Sequence, residues 1–202
     1  MFPSARRSAA LASLVFLSGA ADAHSESTGS GLLAGLVHPL AGVDHLLAMV
    51  AVGIISVRMS RPGAIWKVPA TFLLAMVAGA VCGYAGLFLP YAEAGIAASL
   101  IVLGAGIAVK LLPRRQRWMF AGVGLFGVFH GYAHGVELPA AAAPLFYSIG
   151  FLISSLFLHV CGIFIGEVSL GSAWRSALIR ALGILMTLTG AWYLSSGAQL
   201  AG

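Results

Sequence analysis

The sequence predicts an all-α, polytopic membrane protein, and three observations carry that prediction. Of its 202 residues, 60% are hydrophobic and only 8% are charged, against about 25% charged in soluble domains. The apolar residues gather in runs of roughly 20, long enough as helix to cross ~30 Å of hydrocarbon at 1.5 Å per residue. Those runs are apolar on every side, without the alternation of about ten residues that marks a membrane β-barrel. Backbone in hydrocarbon must satisfy its own hydrogen bonds, which leaves helices.

The chain opens on a secretory signal pattern. Arg6 and Arg7 precede an apolar stretch over 8–19, and Ala21-Asp22-Ala23 places small residues at the positions a signal peptidase reads. The expectation is a cleaved signal peptide over 1–23, then a single transmembrane domain over 24–202 with His24 as its first residue.

Six apolar runs follow, at about 33–57, 68–89, 94–112, 118–136, 141–166 and 177–197. The connections after runs one, three and five carry Arg58, Arg61, Lys67, Lys110, Arg114, Arg115, Arg117 and Arg175, with Arg180 just inside run six; the connections after runs two and four carry no Lys or Arg. The formal charge of +5 is therefore a topology signal and no footprint for nucleic acid. It expects the odd connections in the cytoplasm and both mature termini outside a bacterial inner membrane. Six runs divide as three plus three, and an odd number per half sends run four into the membrane in the opposite sense to run one, as an inverted repeat requires. Cys82 and Cys161 each lie inside an apolar run; without a CxxC pair or a disulfide framework they read as buried structural thiols.

Ionisable residues inside apolar runs are costly and face a partner, a cavity or an ion. Run one contains His38-Pro39-Leu40-Ala41-Gly42-Val43-Asp44-His45, and run four contains Phe129-His130-Gly131-Tyr132-Ala133-His134-Gly135-Val136-Glu137. At about 100° per residue, His130, His134 and Glu137 fall within about 60° of one another on a helix. Gly127, Gly131 and Gly135 recur every fourth residue beside that stripe, which admits a close helix neighbour. On one continuous helix His38 and His45 share a face, with Asp44 turned about 100° away, placed to orient an imidazole or to reach an ion held between helices. Pro39 marks where that helix starts or bends. Counted from the outer end of run four, His130 lies about 9 Å deep, and Asp44 and His45 of run one are expected to meet it at one level. His38, His134 and Glu137 then form an upper tier, and His159 in run five lies deeper. The α-amine and imidazole of His24, once exposed by cleavage, form a further two-nitrogen chelate outside. Runs one and four are expected to cross near the centre, with Asp44, His45 and His130 facing each other.

These motifs resemble the two signatures of the HupE/UreJ family of nickel and cobalt permeases. Gly150-Phe151, Leu158-His159 and Gly162 in run five are also similar to that family, as are the signal peptide and six-span layout. Where family members often have Thr before the run-five His, this sequence has Ser154-Ser155, which keeps a hydroxyl there. The resemblance implies uptake of Ni²⁺ for hydrogenase or urease, or of Co²⁺ for cobalamin.

Imidazoles with a few carboxylates suit Ni²⁺, Co²⁺, Zn²⁺ or Cu²⁺, and hard ions such as Mg²⁺ prefer all-oxygen sites. The ion is then cargo and not a permanent cofactor, and its partners are the metal and the lipid bilayer. No nucleotide-binding motif is present, and a divalent cation moving inward gains about 4.6 kcal/mol per 100 mV of inward-negative potential. The alternative is a membrane-embedded zinc hydrolase, with three His ligands and Asp44 or Glu137 as general base. A bis-histidine haem carrier fits the carboxylates less well. The permease reading is not that of an enzyme.

Overall fold

The computed structural model describes residues 28–59, 65–109, 116–136, 138 and 143–200. The expected signal peptide, His24 and Glu137 lie outside the described residues, as do Arg61, Lys110, Arg114 and Arg115. Among the described residues there are seven helices and no strand: α1 Thr28–Ala41, α2 Val43–Met59, α3 Lys67–Tyr84, α4 Ala92–Val109, α5 Gln116–Val136, α6 Pro144–Leu170 and α7 Ala173–Leu200. The all-α expectation holds. Helices α3, α4, α6 and α7 are each long and apolar enough to cross a membrane, and the bent α1–α2 pair makes a fifth if it is counted as one broken span. Helix α5, which carries run four, is less apolar because His130, His134 and several glycines dilute it.

Run one is not a single helix. It breaks at Gly42, and Gly31–Ala41 and Val43–Arg58 meet at 80°. The expectation placed the disturbance at Pro39, but Pro39 lies inside α1 and the chain turns three residues later. The second helix restarts from the Gly42 carbonyl, which accepts the Leu46 amide at 2.9 Å. With the helix broken, His38 and His45 stand on separate helices and do not share one face.

Helix α2 is the centre of the molecule. Every residue from Ala48 to Ser56 is buried, so α2 is enclosed on all sides, as a helix apolar all round must be. The outer surface is apolar as well: Leu74 is 73% exposed, and Phe164, Leu185 and Leu188 are also open. Polar solvent does not explain such a surface, and lipid does.

Glycines set the main helix contacts. A Cβ at Gly127, Gly131 or Gly135 of α5 would run into the carbonyls of Phe72, Met76 and Ala80 on α3. Both numbers climb together, so α3 and α5 run parallel. Gly53 of α2 abuts the backbone of α6 around His159 and Gly162, while Gly166 meets Ile54 and Val57, which makes α2 and α6 parallel. A Cβ at Gly104 of α4 would meet the Gly183 carbonyl of α7 and one at Gly183 the Gly104 carbonyl, while Gly190 meets Ala97, so that pair is antiparallel. Runs one and four are not packed as a crossing pair: α1 and α2 lie along α6, and α5 lies along α3 and α4. Helices α2 and α5 are brought together only by their side chains.

Candidate metal site

The break at Gly42 builds the first part of the site. Asp44 stands in the first turn of α2, where its negative charge complements the helix dipole and an amide without an intrahelical partner is on offer. Its Oδ1 accepts both the backbone N–H of His45 at 2.9 Å and the ring Nδ1–H of His45 at 2.9 Å. A Cβ at Gly42 would lie 3.1 Å from that oxygen and 3.1 Å from Nδ1, so glycine leaves the pair its room. Because Nδ1–H is held by a carboxylate, Nε2 of His45 carries the lone pair; that atom is buried without a hydrogen-bond partner.

Helix α5 supplies the second part. His130 is fully buried and His134 nearly so, because the glycines beside them draw α3 against the same helix. The His45 ring lies 4.8 Å from the ring of His130 and 4.3 Å from that of His134, centre to centre. His134 also meets His38 of α1 at 4.9 Å and Phe151 of α6 at 4.1 Å. It therefore joins the α1 histidine to the α2 histidine, and neither of its ring nitrogens has a hydrogen-bond partner. His130 is tied through Nε2 to Ser99 Oγ of α4 at 2.9 Å, while its Nδ1 is unpartnered.

The deeper histidine stands apart. His159 of α6 donates Nδ1–H to the Ser155 carbonyl at 2.6 Å, leaving Nε2 buried and unpartnered. The hydroxyl expected beside it is otherwise engaged, since Ser155 Oγ donates to the Phe151 carbonyl at 2.8 Å. Phe72 of α3 separates His159 from the cluster, its ring 5.4 Å from His159 and 5.6 Å from His130. Cys82 and Cys161 are half-buried free thiols, less enclosed than the sequence implied.

A cavity of about 240 Å³ opens onto the cluster, lined by His38, Gly42, Asp44, His45, Glu93 and Ala133 among others. Glu93, in the first turn of α4, was not singled out from the sequence, although a carboxylate heading an apolar run was the available signal. Ser99 was missed too, and nothing local marks it. A second, apolar cavity of about 250 Å³ reaches His134 from the side of Met76, Tyr147 and Phe151. Among the described residues no group of three His, Cys, Asp or Glu side chains is already set to hold a metal ion. The His38–His134 and His45–His130 rings meet edge to face, and the His45 and His134 rings are tilted by 55°.

Comparison with known proteins bears on this arrangement. The profile of the family described as "HupE / UreJ protein" matches residues 12–193. The chain is also 38% identical to Protein HupE of Rhizobium leguminosarum bv. viciae over 172 residues, which is 85% of this chain and 88% of that protein. The chain belongs to the HupE/UreJ family. No solved structure matches it. The matched stretch of this HupE/UreJ chain contains both histidine motifs, Glu93, Ser99 and His159. The residues gathered around the polar cavity thus all belong to the family's own region.

Proposed function

We propose that this HupE/UreJ protein is a permease that takes up a divalent transition-metal ion, Ni²⁺ first and Co²⁺ as a second substrate. One observation carries the reading: imidazoles from α1, α2 and α5 converge inside an apolar bundle, and Nε2 of His45, Nδ1 of His130 and both ring nitrogens of His134 are buried without a hydrogen-bond partner. Buried polar atoms are normally satisfied, so such nitrogens are best accounted for by a ligand that visits. Nitrogen donors with few carboxylates favour borderline ions of the Ni²⁺ and Co²⁺ kind over Mg²⁺ or Ca²⁺.

In this reading His38 and Glu93 receive the hydrated ion at the polar cavity, with Glu137 and His24 as further capture points read from the sequence. His134 passes it to His45 and His130, and His159 receives it beyond Phe72. A closed set of ligands would trap cargo, and none is formed among the described residues. The zinc hydrolase has less support. A catalytic zinc needs three fixed ligands, and Asp44, one of its two candidate bases, is already bonded to His45.

The proposed orientation puts both termini outside. Trp66, Trp118 and Trp174, each more than half exposed, stand beside Lys67, Arg117 and Arg175 at the starts of α3, α5 and α7, a pairing expected where helices enter from a cytoplasmic interface. The packing also favours an inverted repeat. Runs one and five pair in parallel, runs two and four pair in parallel, and runs three and six pair antiparallel; exchanging the halves maps this set of pairs onto itself. A helix broken beside the binding residues is a recurrent feature of such transporters. The reading is tested by uptake of radiolabelled Ni²⁺ and Co²⁺ into cells that express the protein, with other divalent ions as competitors. Accumulation above control cells, competed by the partner ion, is expected; equal accumulation in both would refute it.

A further inference from the structure

We infer that Ser99 is a positioning residue that fixes the tautomer of His130 and so selects Nδ1 as the nitrogen offered to the ion. This deepens the uptake reading and rests on it. Ser99 is fully buried on α4, and its hydroxyl has two neighbours: the Ile96 carbonyl at 2.7 Å and His130 Nε2 at 2.9 Å. A hydroxyl has one hydrogen to donate. The Ile96 carbonyl can only accept, so the Ser99 hydrogen goes there and Ser99 Oγ accepts from His130. That requires the proton of the neutral ring to sit on Nε2, which leaves the lone pair on Nδ1. Nδ1 of His130 is buried and has no hydrogen-bond partner, as a metal-facing nitrogen should be.

The same logic repeats around the site with different chemistry. His45 is held at Nδ1 by the Asp44 carboxylate, and His159 is held at Nδ1 by the Ser155 carbonyl. Each leaves Nε2 unpartnered. His130 is thus the one of the three that presents Nδ1, and the residue that makes it do so comes from a helix carrying no histidine. Partners of this type fix ring orientation, and their loss typically costs 10–100-fold in metal affinity or activity. His134 has neither nitrogen held.

The test is ¹⁵N NMR of the full chain in liposomes without metal, labelled at histidine, with His130 assigned by loss of its signals in His130→Gln. Wild type is expected to show His130 protonated at Nε2 alone. Ser99→Ala should give signals from both tautomers and lower nickel uptake at limiting metal by roughly tenfold or more, and Ser99→Thr, which retains the hydroxyl, should restore both. A wild-type His130 protonated at Nδ1 overturns the inference, whether or not any variant folds. Lost uptake in Ser99→Ala with an unchanged tautomer also overturns it, since the serine would then matter only to packing. A wild type without nickel uptake would refute the transport reading while the tautomer still decides the role of Ser99.

Discussion

At Asp44 a single carboxylate oxygen serves both the amide and the ring of His45, so its removal frees two donors at once and lets the imidazole turn. Ala at Asp44, His45, His130 or His134 is therefore expected to abolish or severely reduce uptake while membrane insertion, followed by immunoblot of membrane fractions, stays intact. Full uptake by the Asp44 and His130 variants would contradict the site. Water can stand in for ligands nearer the mouth, so His38→Ala and Glu137→Ala should cost the same or less. Glu93→Gln keeps size and removes charge beside the polar cavity; it should weaken uptake at limiting metal and matter less when metal is abundant, which a concentration series would read. These residues differ in how far the sequence revealed them. His38, Asp44, His45, His130 and His134 announce themselves as ionisable groups in apolar runs. Ser99 lies 31 residues from the histidine it holds, and a serine inside an apolar run has no local feature that distinguishes it.

Among the elements, α5 was the most legible, because the fourfold glycine spacing and the histidine stripe both follow from helical geometry within one segment. Its contact with α3 makes a sharp prediction. A Cβ at Gly131 would collide with the Met76 carbonyl, whereas one at Gly122 of the same helix meets nothing within 4 Å. Gly131→Ala should lower thermal stability in detergent by about 1–3 kcal/mol; Gly122→Ala should hold or raise it, by up to about 1 kcal/mol from helix propensity. Equal effects would mean that α3 and α5 are not in this register. The α1–α2 break was legible only in part. Pro39 advertises a bend, but α1 absorbs the proline, and the turn falls where Gly42 lets the Asp44 carboxylate and His45 ring fold back together. That choice depends on a side-chain contact that no periodicity displays.

For the molecule as a whole, apolar run length and basic loops foretold an all-helical bundle, but not which helices would be neighbours. Runs one and four carry the motifs and were expected to cross, yet α6 and α3 are their backbone partners and only the imidazoles span the gap. Orientation has its own check. In a background lacking Cys82 and Cys161, cysteines introduced beside Trp66, Trp118 and Trp174 should resist an impermeant thiol reagent added outside, and cysteines beside Tyr84 and Phe88 should react; the reverse pattern would invert the topology. The most direct measurement of the central claim is Ni²⁺ flux into liposomes containing the purified protein, with an inward-negative potential imposed, for wild type and for His45→Ala and His130→Ala. Saturable flux is expected in wild type, driven by the potential and reduced to the level of empty liposomes in both variants. Flux in the variants equal to wild type would contradict it.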